Sequence, residues 1–106
     1  MSIQVELLLD MKIKPSAYKL RSYSDGDGHF LLNWNFEGSN DGSNWITLKS
    51  HSNDSTIADF GAIGSWSVDC NVFYKFFRIL LTGLTKTMTH YLSVSGFELY
   101  GTLVIK

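Results

Sequence analysis

Leu32, Trp34 and Phe36 alternate with Asn33, Asn35 and Glu37, the two-residue period of a strand buried on one face. The same kind of run recurs along the chain, each short and each closed by a turn signal. The pattern predicts six strands, at 16–21, 32–37, 45–49, 65–68, 75–81 and 91–100. Between them lie Ser24-Asp25-Gly26-Asp27-Gly28, Gly38-Ser39-Asn40-Asp41-Gly42, Ser52-Asn53-Asp54-Ser55, Gly61 to Gly64, and Thr82-Gly83. Turns spaced about ten residues apart are the mark of a sandwich or barrel. Ile3, Val5, Leu7 and Leu9 alternate as well. The segment also holds good helix formers, but it has no N-capping box, so a seventh strand over 3–9 is expected rather than a helix.

If consecutive strands run antiparallel, connections fall at alternate ends of the fold. Loops 22–31, 50–64 and 82–90 then share one end, and the 38–44 turn and the 69–74 connection share the other. Long irregular loops on a rigid frame are where binding residues gather, so the first end is the candidate binding end. Trp34, Phe36, Trp45, Trp66, Ile79, Phe97 and Leu99 are expected to form one core cluster. Leu92 and Val94 have the opposite parity to Phe97 and Leu99, which calls for a β-bulge near Ser95-Gly96.

Composition supports this picture and excludes others. The 106 residues suit one domain, and an aromatic content of 14% suits pleated sheet surfaces. A formal net charge of −1, with its nine basic residues dispersed, gives no footprint for a nucleic acid. One cysteine, Cys70, allows no intrachain disulfide, which favours a reducing, cytoplasmic setting. The apolar run at Val5 to Leu9 is too short to span a bilayer and carries no signal-peptide features.

Several segments, in order, resemble one superfamily. Glu37-Gly38-Ser39-Asn40-Asp41-Gly42-Ser43-Asn44-Trp45 is similar to the S-x-D-G-x-x-W turn of discoidin and coagulation-factor type C domains. Ile13 to Arg21 resembles the strand that precedes it, Phe76-Phe77-Arg78-Ile79 the penultimate strand, and His90 to Gly101 the last. The set is most similar to the branch found as accessory domains in HECT-type ubiquitin ligases and BTB-containing proteins. The resemblance implies an all-β, antiparallel, jelly-roll-like β-sandwich of the galactose-binding-like class, residues 1–106 forming one domain of a larger protein. Complete members carry further strands upstream, so a strand edge here is expected to be missing or supplied by another segment or chain. Without the resemblance, the Asn-Asp-Gly turn is a hairpin device and Trp45 a large apolar anchor.

Candidate chemistry is sparse. Asp25-Gly26-Asp27-Gly28 fails as an EF-hand: with those aspartates at loop positions 3 and 5, Tyr23 and Trp34 occupy positions 1 and 12, where ligands are required. No metal site is expected. His29, His51 and His90 all fall in the three loops of the candidate end. The plain reading is three exposed loop histidines, so that His51→Ala should cost little. The functional reading is a polar pocket floor made with Asp25, Asp27, Asn53 and Asp54, where Phe30 could stack on a sugar ring. Phe30-Leu31-Leu32 also fits a membrane spike, but core packing is the better account, because no basic ring surrounds it. Arg78, in an apolar strand, calls for a carboxylate, with Glu98 the conceivable partner. Cys70 has no activating neighbour, and no nucleophile elbow or phosphate loop is present. The chain reads as a module that is not an enzyme, needs no cofactor and binds neither nucleic acid nor membrane. Its expected role is recruitment of a protein substrate or subunit, with galactose-type carbohydrate binding as the alternative.

Overall fold

A computed structural model describes residues 2–7, 11–22, 30–85, 94 and 96–105. Seven strands fill it: β1 (Ser2–Glu6), β2 (Met11–Arg21), β3 (Trp34–Ser39), β4 (Ile46–His51), β5 (Ile63–Ser67), β6 (Phe76–Leu81) and β7 (Gly96–Ile105). They form a four-stranded sheet, β1-β6-β3-β4, facing a three-stranded sheet, β5-β2-β7, with every pairing antiparallel. Of the segment that alternates at the start of the chain, the part up to Glu6 is a strand paired along β6, and residues 8 and 9 lie outside the described residues.

Parity explains the core. β2 turns Tyr18 and Leu20 inward, β3 turns Trp34 and Phe36, and β6 turns Phe77 and Ile79; all six are fully buried. Leu31 and Ile57 close this layer from the loops, Val68 and Tyr74 from the opposite end, and Trp66, Val94, Phe97 and Leu99 pack against it. Ring contacts bind the two sheets, with Tyr18 stacked on Phe36 at 4.3 Å between centroids and Phe97 edge-on to both rings. Burying these side chains stabilises by roughly 1.5–3 kcal/mol each.

Four sequence expectations need correction. Trp45 is half-buried and stands outside the core. Glu37 faces outward opposite Thr47, and Trp45, two residues before Thr47, shares that outer face, with the Arg78 guanidinium 4.2 Å from its ring centroid. Arg78 pairs with Glu37, its direct cross-strand neighbour, at 2.7 Å; Glu98 lies on the other sheet, beside Lys19. β3 begins at Trp34, so Leu31 rather than Leu32 fills the core above it. The fourth concerns strand length. β2 and β7 extend to residues 11 and 105 because 11–15 pair with 101–105. The register shifts at Pro15/Ala17, a bulge that suits a residue without an N–H. There the Lys14 carbonyl oxygen lies 2.2 Å from where a Cβ on Gly101 would sit, so only glycine fits. Ser95, where a bulge was expected, lies outside the described residues. Val94 and Phe97 both pack on the core on either side of it.

Candidate functional site

Register fixes which connections meet. Trp34 at the start of β3 lies between His51 at the end of β4 and Leu81 at the end of β6. Arg21 at the end of β2 lies between Ile63 and Gly96, which begin β5 and β7. The connections after β2, β4 and β6 therefore emerge at one end, as the antiparallel argument requires, and those after β3 and β5 at the other.

Asn33 ties the three together. Its carboxamide oxygen accepts the Asn53 amide at 2.8 Å, and its Nδ2 donates to the Leu84 carbonyl at 3.0 Å. Its backbone carbonyl takes the Thr82 amide at 3.1 Å, while the Asp54 amide donates to the Leu32 carbonyl at 2.8 Å. Asn53 holds a left-handed backbone, φ 54°, a conformation asparagine tolerates better than most residues. Sequence reading placed Asn33 on the polar face of a strand, and nothing in its neighbourhood signals a clamp.

Beneath the clamp runs a buried polar row. The Trp34 indole Nε1 donates to the Tyr18 hydroxyl at 3.0 Å, and that hydroxyl bonds His51 Nε2. His51 Nδ1 lies 2.8 Å from Asp54 Oδ2, and Asp54 Oδ1 accepts the Thr56 amide at 2.9 Å. Indole N–H only donates, so Tyr18 accepts there and must give its own proton to Nε2. His51 then carries its proton on Nδ1 and donates to Asp54. His51 also stacks on Trp34 at 4.1 Å and meets Trp66 edge-on at 4.8 Å. With 6% exposure it is no surface histidine, which overturns the exposed-loop reading of this residue. It ends β4, directly across from inward-facing Trp34, and so points into the sandwich.

The electrostatics follow from burial. Desolvation pushes the Tyr18 phenol far above its ordinary range, against the opposing hydrogen bond from Trp34. Desolvation lowers the His51 imidazole, although Asp54 pulls the other way. Partial burial raises Asp54, but hydrogen bonds from Thr56 and His51 outweigh it and hold the carboxyl below its usual range. Both ring nitrogens of His51 and both carboxylate oxygens of Asp54 are thus engaged in hydrogen bonds within the fold. No helix among the described residues is long and apolar enough to cross a membrane, and those residues contain no cluster of three metal-binding side chains.

Of the proposed binding residues, Asp25, Asp27, His29 and His90 lie outside the described residues. Asn53 is exposed and Asp54 partly so. Phe30 is buried, edge-on to Phe60 at 5.0 Å, so its ring faces are not offered to a ligand. Among the described residues, Phe60 (52% exposed) and Leu84 (40%) are exposed apolar side chains of the loops at this end. Sequence reading missed both; in a loop, neither has a periodic pattern to mark it. The Ser39–Trp45 turn at the far end is a folding device. Asp41 Oδ1 accepts the Ser43 and Asn44 amides at 2.8 and 2.7 Å. Those bonds hold its carboxyl low, and Gly42 supplies φ 75°.

No protein-family model matches the chain. It is 40% identical over 101 residues to the E3 ubiquitin-protein ligase Ufd4 of Drosophila melanogaster, a match of 91% of this chain and 4% of that protein. It is 37% identical over 100 residues to the E3 ubiquitin-protein ligase hecd-1 of Caenorhabditis elegans, again 91% of this chain and 4% of the relative. A BTB/POZ domain-containing protein of Arabidopsis thaliana is 37% identical over 82 residues, 73% of this chain and 10% of its own. The chain therefore spans only a small fraction of the curated relatives it matches. Among solved structures, the C-terminal domain of a Bacteroides fragilis chitobiase superposes with TM-score 0.68 at 16% identity, over 97% of this chain and 64% of that one. A family 32 carbohydrate-binding module from Streptococcus pneumoniae EndoD gives 0.66 at 10% identity, over 95% and 69%. A chitosan-binding module from a Paenibacillus chitosanase/glucanase gives 0.63 at 18%, over 95% and 76%. The fold is the galactose-binding-like sandwich that the turn and strand motifs resemble, and the sequence relatives are of the ligase and BTB classes.

Proposed function

We propose that the chain is a non-catalytic recognition module, acting in the cytoplasm within a larger ubiquitin ligase or scaffold, where its loop end recruits a protein substrate or subunit. The observation that carries this reading is the Asn33 clamp. It holds three loops of separate sheet origin as one surface and leaves exposed Phe60 and Leu84 on it. Rigid loops bearing aromatic and aliphatic side chains are what protein interfaces use as anchors. The ligase relatives supply the context. His29, His90, Asp25 and Asp27 complete the surface in this proposal. The test compares partner recovery by the full-length host protein carrying wild-type or Phe60→Ala/Leu84→Ser sequence. The variant should lose specific partners while its thermal midpoint stays put; equal recovery from both sinks the loop end as the interface.

Carbohydrate binding is the second reading, favoured by the solved neighbours and by the exposed aromatic ring of Phe60. A glycan array giving no signal above a heat-unfolded control eliminates it.

A further inference from the structure

Four strand edges are unpaired among the described residues, those of β1 and β4 in the large sheet and of β5 and β7 in the small one. They are not equally defended. β1 and β5 have five residues each. β4 has six, with Lys49 among them and a bulge at Leu48, the extra residue in its pairing with β3. β7 runs for ten residues, Gly96–Ile105, and contains neither lysine nor proline, the residues that natural edges use most to turn a neighbour away. It is also unbroken: where its register with β2 shifts, the extra residue, Ser16, lies in β2.

The side chains along β7 are symmetric about Gly101. On the core-facing parity, Leu99 and Phe97 stand two and four residues before it, and Leu103 and Ile105 two and four after it. Phe97 and Leu99 pack against the core. Leu103 and Ile105, opposite Ile13 and Met11 on β2, are each more than half exposed. Antiparallel pairing of two copies, with the two-fold axis at Gly101, sets Leu103 beside Leu99 of the second copy and Ile105 beside its Phe97. Each exposed apolar side chain then meets one that the other copy's core already holds. On the outer face Glu98 meets Val104, so the one charged residue of the strand does not oppose itself. The axis is clear as well, because the Lys14 carbonyl allows no side chain at Gly101. We propose that β7 is a self-recognition edge, through which two copies of this chain pair in the register centred on Gly101. The two three-stranded sheets join into one of six strands. This surface involves neither Phe60 nor Leu84 and stands apart from the loop-end reading. A single strand edge is a small contact, so pairing depends on concentration.

Cysteine pairing across the join reads the register directly. Cys70, the lone cysteine, is first replaced by alanine. Tyr100→Cys and Thr102→Cys, at exposed positions of β7, are then made singly in that background. Each is oxidised alone and as an equal mixture, over the concentrations at which sedimentation shows association. In the proposed register, position 100 of one copy lies opposite position 102 of the other, with Cβ atoms about 4.5–5.5 Å apart. Like positions lie on the diagonal, about 7–8 Å apart, too far for a disulfide. The mixture should therefore give several times more linked dimer than either variant alone, and mass spectrometry should find one chain of each kind in it. Equal linkage in a single variant would place the axis elsewhere and overturn the register. A chain that sediments as a monomer throughout, or that associates while the mixture fails to link, overturns β7 as the edge.

Discussion

His51 is neutral, with its proton on Nδ1, because the Tyr18 hydroxyl claims Nε2 and Asp54 claims Nδ1. Acid works against that arrangement. In the unfolded chain the imidazole takes a proton as the pH falls through about 6.5, while the folded side chain resists until lower pH. The unfolded state then binds more protons, so stability declines from the unfolded value downward. Asp54, whose folded pKa is also depressed, adds a second loss only below the unfolded carboxyl value of 3.8. Thermal unfolding followed across pH should therefore show its first acid loss begin as the pH falls through about 6.5. His51→Gln, which can still accept from Tyr18 and donate to Asp54, should flatten that first loss and keep the second. An unchanged profile in His51→Gln would remove His51 as its cause. Truncation follows the same logic. His51→Ala strands the Tyr18 proton and opens a cavity under Trp34, a cost of about 3 kcal/mol. Trp45→Ala removes a half-buried ring and its cation contact with Arg78, a cost of about 1 kcal/mol. Urea denaturation of both variants should rank them in that order, the reverse of what the sequence suggests. Residue chemistry was the least legible level. Period-2 alternation finds apolar inward positions, but it cannot reveal that a histidine ending a strand is turned inward and paired from both sides.

At the level of elements, strand existence was readable and strand limits were not. Alternation and turn chemistry located all seven strands, since each buries one face and each turn needs its Asn, Asp or Gly. The reach of β2 and β7 depends on mutual pairing across 80 or so residues and on the Pro15 bulge, and neither leaves a local pattern. The common end of three loops was legible for the same reason the strands were: antiparallel order is arithmetic. Asn33, which makes those loops one surface, was not. Its side chain bonds Asn53 and Leu84 from a position that looks like ordinary outward alternation. Asn33→Ala should unfasten the loops without unfolding the sheets. Hydrogen exchange should accelerate at the amides of Asn53 and Asp54 while those of β3 and β6 keep their protection. Loss of stability should be about 1–2 kcal/mol for two hydrogen bonds at a partly exposed site. Uniform acceleration across β3 and β6 would instead make Asn33 part of the global fold.

The whole molecule measures 43 × 23 × 22 Å, and its long axis follows from the β2–β7 ribbon. Leu103 lies opposite Ile13, and Ile105 opposite Met11, on the parity that packs Phe97 and Leu99 against the core. Even so, Leu103 is 51% and Ile105 64% exposed, because the large sheet does not extend over them. The other edge of β7 has no strand partner among the described residues. A ten-residue edge with apolar side chains near its tip is a template for another strand. The isolated chain should therefore associate as its concentration rises, through β7. Lysine at these two positions places charge along the edge, the means by which natural sheets discourage such pairing. Leu103→Lys/Ile105→Lys should thus sediment as a monomer at concentrations where the wild-type chain has begun to associate. Since both side chains are solvent-exposed, the thermal midpoint of the dilute protein should change little. If wild type remains monomeric throughout, or if the lysine variant associates equally, the contact lies elsewhere and the β7 edge is protected by its own twist.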